Sequence, residues 1–236
     1  MPATIEATAM STGERALYRL MAWLSPSFPV GSYTYSHGLE AAIEAGSVGD
    51  RDTLAAWIED LLLAGGPRND AIFLTAAWQA TCADDEARFK AVRELAAVCH
   101  PTAELRLESL QQGAAFRDAV RRSWAAPGIE RLCQGDTPVA YPIAVGVTAA
   151  AHGVPLRSAL HAYLHAFAAN LVSAGVRLIP LGQNDGQRAV ATLEPPVHAL
   201  AEEAETATLD ELGGCAWVAE IGSMRHETQY TRLFRS

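Results

Sequence analysis

The sequence is poor in lysine and has no long apolar run, and each shortage excludes a class of protein. Lys90 is the only lysine, the formal net charge is −9, and no basic cluster is denser than Arg121–Arg122. Nucleic-acid binding needs a strongly basic surface, so no such partner is expected. No uninterrupted apolar run reaches the roughly 18 residues typical of a membrane span, and residues 1–13 do not resemble a signal peptide. We expect a cytoplasmic globular protein without a membrane partner.

Motifs for catalysis or a structural metal are also missing. The four cysteines never form a C-x-x-C pair, which disfavours a zinc or iron–sulfur site. No serine lies in a nucleophile-elbow sequence, and no cysteine has a histidine at a telling spacing. In LGQNDGQR, residues 181–188, the glycines are one residue closer than in a P-loop, and Gln-Arg replaces Lys-Ser/Thr. We predict that the chain is not an enzyme, needs no cofactor and does not hydrolyse GTP.

What the sequence does contain is the pattern of an all-α fold. Half of the residues are hydrophobic, and alanine carries much of that share, which favours helices over strands. Ser11 and Glu14 have the spacing of a capping box at the start of a helix. The apolar face of that helix is predicted to consist of Leu17, Leu20, Met21 and Leu24. We predict a flexible tail over residues 1–13 and a single all-α domain of about nine or ten helices over residues 14–236.

For three segments, the sequence pattern predicts the secondary structure or the helix bounds in more detail. Val139–Val147 is the best candidate for a strand, but the alanines after it favour a helix beginning at Pro142. A long helix is predicted to begin near Thr102 and to reach Trp124. The last helix is predicted to run from about Leu209 to Tyr230.

The connector SPSFPVGSYTYSHGLE, residues 25–40, is unusually apolar for its length. We predict that Tyr33 and Tyr35 project alternately from an extended segment and that Ser36 caps the next helix, with Glu40 in its first turn. The connector either packs on its own core or forms a dimer interface, and the sequence does not decide between the two. The residues assigned to it are Pro29, Gly31, Tyr33, Tyr35, Ser36, Gly38 and Glu40.

Residues 181–188 are predicted to form a turn between helices, because Pro180, Gly182 and an Asn-Asp-Gly sequence favour one. The same turn carries several directed hydrogen-bond donors and acceptors that could serve a protein partner. The candidate contact residues are Gln183, Asp185, Gly186, Gln187 and Arg188.

The C-terminus, SMRHETQYTRLFRS, alternates arginine with large apolar and aromatic residues, which are enriched at protein interfaces. We predict that Leu233 and Phe234 are exposed and that this tail docks onto a partner. The candidate residues are Arg225, His226, Glu227, Gln229, Tyr230, Arg232, Leu233, Phe234 and Arg235.

Two histidines at helical spacing, His161 and His165, could share one metal ion. Neither a glutamate nor a cysteine lies at a spacing that would complete the site, so we predict no metal site here. A site assembled across a dimer axis from single histidines such as His37 or His226 stays open. An alternative function for this chain is that of a helical metal carrier or metalloenzyme that uses His152, His161 and His165.

Three of these segments together carry a resemblance to a known family. FPVGSYTYSHGLEAAIEAG, RLIPLGQNDGQR and SMRHETQYTRLFRS closely resemble the bacterial urease accessory protein UreF, and so does PVAYPIAVGVTAAAHGVPL. The similarity runs from about Leu17 to Ser236. One mild departure is Tyr33, where many relatives have phenylalanine.

The resemblance implies an all-α protein without catalytic activity that forms a homodimer. UreF proteins assemble with UreD (also called UreH) and the GTPase UreG on the urease apoprotein, and the assembly delivers nickel when UreG hydrolyses GTP. The family is credited with bridging UreD and UreG, with modulating the GTPase and with contributing to a nickel passage towards UreD. We therefore predict that the tail contacts UreD and that the turn at 183–188 contacts UreG. A scaffold without influence on the GTPase is a further alternative.

Overall fold

The computed structural model describes residues 10–135, 137–230 and 232–235, and these residues form helices without any strand. Short 3₁₀ helices lie at Ser32–Thr34, Ile129–Cys133 and Leu209–Glu211. The α-helices are α1 Thr12–Trp23, α2 Leu39–Glu44, α3 Arg51–Ala64, α4 Gly66–Cys82, α5 Glu86–Ala96, α6 Ala103–Ser123, α7 Tyr141–Ala151, α8 Leu156–Leu178, α9 Gln183–Thr192, α10 Glu194–Thr206 and α11 Trp217–His226. The prediction of an all-α fold of about nine or ten helices is confirmed, since only Leu193 separates α9 from α10.

Local signals place most helix ends correctly. The capping box at Ser11 is present, with Glu14 as its second member. Thr102 accepts a hydrogen bond from the backbone N–H of Leu105 and begins α6, which ends before Trp124 as predicted. Residues 1–9 of the predicted tail lie outside the described residues.

The core is centred on α4 and α7, which pack closely against each other. α7 is buried from Pro142 to Ala149, which confirms helix rather than strand for this segment. Gly146 lies so close to α4 that a Cβ there would be 2.5 Å from the carbonyl oxygen of Leu74. Small side chains thus let the two helix backbones approach, and the larger α6 and α8 pack around them.

The predictions for the last helix and for the apolar face of α1 are wrong. The last helix does not run from Leu209 to Tyr230, because Gly213-Gly214 interrupt it and α11 begins only at Trp217. Gly214 packs against α3, where a Cβ would be 2.7 Å from the carbonyl oxygen of Ala64, so the chain crosses α3 there instead of continuing as a helix.

The second error concerns α1. Leu20 is buried, but Leu17 and Met21, which were assigned to the same apolar face, are exposed together with Tyr18. α1 therefore packs on the core with a narrower stripe than the sequence predicts.

None of the helices in the described part of the chain combines the length and apolar content needed to cross a bilayer.

Candidate partner-docking surface

The C-terminal segment, which we define as residues 227–235, folds back onto α2. The carboxylate of Glu40 accepts hydrogen bonds from two consecutive backbone N–H groups, that of Leu233 at 2.8 Å and that of Phe234 at 3.1 Å. The backbone N–H of Arg235 donates to the carbonyl oxygen of Thr34 at 2.7 Å. Charged hydrogen bonds of this kind are stronger than neutral ones, so Glu40 is a strong anchor of the C-terminal segment. Thr231 and Ser236 of the predicted tail lie outside the described residues.

The two apolar residues of this segment have different environments. Phe234 is only 5% exposed, and the Arg177 guanidinium lies 4.5 Å from the centre of its ring. Leu233 is 73% exposed. The prediction that both are exposed is thus wrong for Phe234, whose ring is buried beside Arg177 of α8. Phe234 anchors the segment, whereas Leu233 faces solvent.

A buried histidine joins the same segment to two helices. His226 is fully buried, and its Nε2 lies 3.2 Å from Glu40 Oε2. Its Nδ1 lies 3.0 Å from Glu104 Oε2, and Arg232 Nη1 donates to the other oxygen of Glu104 at 3.0 Å. Charges buried in this way are costly to separate. The cluster Glu40, Glu104, His226 and Arg232 therefore ties α11 and the C-terminal segment to α2 and α6.

The connector 25–40 is held by side chains from neighbouring helices. Asn170 on α8 donates to the carbonyl oxygen of Ser32 at 2.9 Å, and Arg177 on the same helix donates to that of Tyr33 at 2.9 Å. These bonds satisfy backbone groups that a polar loop would leave to water. The connector can consequently be apolar without being detached from the core.

The two tyrosines of the connector point in different directions, as predicted. The backbone around them, however, does not have the predicted extended conformation. Ser32–Thr34 is a 3₁₀ helix instead of an extended segment. Tyr35 is buried and donates its hydroxyl to Gln111 Oε1 at 2.9 Å, whereas Tyr33 is 60% exposed. Of the residues assigned to this connector, Pro29 and Tyr33 are the exposed ones.

The predicted cap at Ser36 is wrong. α2 begins at Leu39, and Gly38 precedes it with φ of 75°, in the left-handed region that favours glycine. A Cβ on Gly38 would lie 2.7 Å from the carbonyl oxygen of Ala219 on α11. Gly38 thus allows α2 and α11 to touch, and this contact places Glu40 beneath the C-terminal segment.

A cavity of about 290 Å³ lies between the connector, α4, α6 and α8. Its polar lining forms two hydrogen-bonded groups. His37 Nε2 lies 3.0 Å from Glu108 Oε1, and Gln112 donates to the same oxygen at 2.9 Å. The hydroxyl of Tyr163 donates to Asp70 Oδ2 at 2.8 Å. These two groups contain two carboxyl groups and an imidazole, all of which are hydrogen-bonded. His100, His165 and Glu220 also line the cavity, and the buried Nδ1 of His100 has no hydrogen-bond partner among the described residues.

Burial changes the protonation of these groups. Burial raises the pKa of Asp70 to about 6, although the Tyr163 hydroxyl and His37 oppose the change. Burial alone would lower the pKa of His37, but the Glu108 carboxylate outweighs it, so the pKa is raised. The Asp70 carboxyl therefore loses its proton at a higher pH than an exposed aspartic acid does.

An apolar stripe on α11 is a feature that the sequence analysis missed. Trp217, Val218, Ile221 and Met224 lie on one face of the helix and are 47–69% exposed. Their spacing of i, i+1, i+4 and i+7 is that of an amphipathic helix, so the stripe is visible in the sequence. Such a stripe normally packs on the core, and its exposure is not visible there. Here the stripe is exposed, as are Tyr230 and Leu233 in the segment that follows α11.

Residues 183–188 belong to a helix and not to a turn. α9 begins at Gln183, so the predicted turn is limited to the residues before it. Gly186 is buried, and a Cβ there would lie 3.0 Å from Val176 on α8. Gln183, Gln187 and Arg188 are exposed, and Arg188 Nη1 lies 3.4 Å from Asp185 Oδ1. Four of the five predicted contact residues therefore remain accessible.

The three histidines of the alternative interpretation are not brought together. His152 Nε2 lies 2.8 Å from the carbonyl oxygen of Trp124, at the end of α7. His161 is bonded to His198, and His165 is exposed on the same helix. In the described part of the chain, no group of three or more His, Cys, Asp or Glu side chains is placed to hold a metal ion.

Comparison with known proteins identifies the family. The UreF family model matches residues 48–194, which span α3 to α9. The urease accessory protein UreF of Rhodopseudomonas palustris strain HaA2 is 51% identical over 224 residues, which cover 94% of each chain. The chain belongs to the UreF family. UreF of Xanthobacter autotrophicus strain Py2 is 52% identical over 222 residues, which cover 94% of this chain and 91% of the relative.

The connector and the C-terminal segment lie outside the part matched by the UreF family model, but the full-length relatives include them. UreF of Rhodopseudomonas palustris strain BisB5 is 49% identical over an alignment that covers all of this chain and 98% of the relative. Membership of the UreF family makes this chain a urease accessory protein, a class defined by assistance to an enzyme.

Proposed function

We propose that this UreF protein is a non-enzymatic assembly factor that acts in the cytoplasm. It bridges UreD (UreH) and the GTPase UreG for GTP-dependent insertion of nickel into the urease apoprotein. The observation that carries the proposal is the C-terminal segment, which is fixed on the core by Glu40 and still presents apolar side chains to solvent. A surface that is ordered before binding loses less entropy on association than a free tail would.

We propose that UreD binds the C-terminal segment together with the α11 stripe. Six of the nine predicted contact residues are exposed, namely Arg225, Glu227, Tyr230, Arg232, Leu233 and Arg235. Gln229 is half-buried, while His226 and Phe234 are buried and hold the segment in place. Arginine and aromatic residues around an apolar centre are typical of interface hot spots.

The double variant Tyr230→Ala/Leu233→Ala is expected to lose UreD from the copurified complex. Both side chains are exposed, so the free energy of unfolding should change by less than about 0.5 kcal/mol. Hot-spot residues each contribute about 2 kcal/mol or more, which is at least about thirty-fold in affinity. Copurification and urea denaturation measure the two effects separately.

Val98→Ala is the matched control, because Val98 is equally exposed but lies elsewhere, after α5. A variant lacking residues 230–236 should behave like the double variant. Wild-type amounts of UreD with the double variant would contradict the assignment of this surface.

We propose that UreG binds the exposed face of α9. Its side chains are polar, and the exposed Arg188–Asp185 pair is weak enough to be exchanged for a partner's groups. Because α9 packs mainly on α3 and α8, it lies apart from the Glu40 anchor on α2. Two separate surfaces suit a protein that joins two partners.

Arg188→Ala is expected to weaken UreG recruitment by about 1.5–3 kcal/mol, the contribution of a hydrogen bond to a charged group, while UreD binding is retained. UreG copurification and GTP turnover in the reconstituted complex measure the effect. The control is Arg122→Ala, which removes an exposed arginine from α6. Normal UreG binding and normal nickel activation of urease would limit α9 to a structural role, and recruitment without any change in turnover would favour the scaffold alternative.

We also propose that the protein is a homodimer and that its cavity contributes to the nickel passage. Exposed Tyr33 is the side chain of the connector best placed to reach a second copy. The cavity contains carboxylate and imidazole groups, which are suitable nickel ligands. His37, Glu108 and Asp70 already have hydrogen-bond partners, so these groups suit passage of an ion better than its storage.

A further inference from the structure

An imidazole pair on the surface links α8 to α10. His161 Nε2 lies 2.9 Å from His198 Nδ1, and the ring centres are 5.2 Å apart. The sequence suggested His165 as the partner of His161, because the two are one helical turn apart. His198, 37 residues away, is the residue that the tertiary structure brings into contact.

The hydrogen bonds around the pair determine which of the imidazole nitrogens carry a hydrogen. His161 Nδ1 lies 2.8 Å from the carbonyl oxygen of Arg157, so it must donate its hydrogen there. His161 Nε2 is consequently the nitrogen with a free lone pair, directed at His198. On the far side of His198, Nε2 lies 3.7 Å from Glu202 Oε2, which can accept a hydrogen.

We propose that His161 Nε2 and His198 Nδ1 bind one divalent transition-metal ion. When the ion enters, His198 transfers its hydrogen from Nδ1 to Nε2, next to Glu202, and both facing nitrogens then donate lone pairs to the metal. His161 is oriented from behind by its hydrogen bond to a backbone carbonyl, and the Glu202 carboxylate lies 3.7 Å behind His198, where it can receive the transferred hydrogen after a small movement. This outer arrangement is usual for histidine ligands.

The ligand type indicates the class of metal. Imidazole nitrogens suit copper, nickel and zinc, and Cu²⁺ has the highest affinity in the series of divalent ions. The two nitrogens already lie 2.9 Å apart, so only a small movement of the side chains is needed for both to reach one ion.

The surroundings support a cation of modest affinity. Glu202 and Glu205 lie next to a single compensating arginine, Arg157, which leaves one negative charge beside the pair. Because only two protein ligands converge, water completes the coordination and tight binding is not expected. The site does not depend on the proposed UreD and UreG contacts.

Calorimetric titration of the untagged full chain with Cu²⁺ and Ni²⁺ tests the proposal. We expect one site per chain, with Cu²⁺ bound more tightly than Ni²⁺. His161→Ala and His198→Ala should each lower the affinity about ten-fold or more, an effect at least as large as that of losing an outer-shell partner. The control is His165→Ala, which removes an exposed histidine from the same helix and should leave the affinity unchanged.

Electron paramagnetic resonance of the Cu²⁺ complex provides a second readout, in which two coordinated nitrogens should become one in either single variant. The proposal is overturned if the wild-type chain binds neither ion, if His198→Ala binds as the wild type does, or if His165→Ala weakens binding as much as His161→Ala.

Discussion

Replacing Glu40 by alanine is expected to release the C-terminal segment and to abolish copurification with UreD. The substitution removes the acceptor of two backbone N–H groups and one of the two carboxylates that flank buried His226. Breaking a buried charged pair costs about 3–5 kcal/mol. Hydrogen exchange at the amides of Leu233 and Phe234 should therefore accelerate by about two orders of magnitude or more.

Glu44→Ala is the matched control, because Glu44 belongs to the same short helix but is exposed. It should leave both the amide protection and UreD binding as in the wild type. Unchanged protection of Leu233 and Phe234 in the Glu40 variant would show that other contacts hold the segment. If protection is lost but UreD still binds, UreD binding does not require an ordered C-terminal segment.

Replacing Gly113 by alanine is expected to prevent the core from forming. Gly113 lies in α6 and packs against the residues that precede α7. A Cβ at this position would be 2.0 Å from the carbonyl oxygen of Val139 and 2.8 Å from the carbonyl carbon of Ala140. Both atoms belong to the backbone, so a change of rotamer cannot relieve the clash. We expect a loss of at least about 3 kcal/mol, measured by urea denaturation or as a loss of soluble protein.

The control is Gly13→Ala, which introduces the same methyl group into a helix where no atom lies within 4 Å of it. This change should leave stability unchanged or raise it by up to about 1 kcal/mol, because alanine is the better helix former. Equal stability of the two variants would mean that α6 and α7 can separate at little cost.

Much of the fold could be predicted because its signals are local. The capping box at Ser11, the cap at Thr102 and the alanines of α7 depend on neighbours within one or two turns, and all three predictions are confirmed. The predicted bounds of the last helix are wrong because Gly213-Gly214, which disfavour a helix, interrupt the apolar pattern around them.

The candidate surface was predicted only in outline. The composition of the C-terminus indicated an interface, but it did not distinguish Phe234, which anchors the segment, from Leu233, which faces solvent. The apolar pattern of the α11 stripe is the one expected for a helix face that packs on the core. Its exposure follows from how α11 lies on α2 and α6, with the opposite face buried through Ala219, Gly222 and Ser223.

By itself, the sequence determined the all-α class, most helix ends and the resemblance to UreF, because capping, periodicity and motif order are encoded within short segments. Only the tertiary structure decided that Glu40 meets Leu233 and Phe234 across more than 190 residues, and that His161 pairs with His198 instead of His165. The physical reason is that the helical spacing in the sequence determines only which residues of the same helix are neighbours. Contacts between helices depend on where small residues such as Gly38 let two backbones approach.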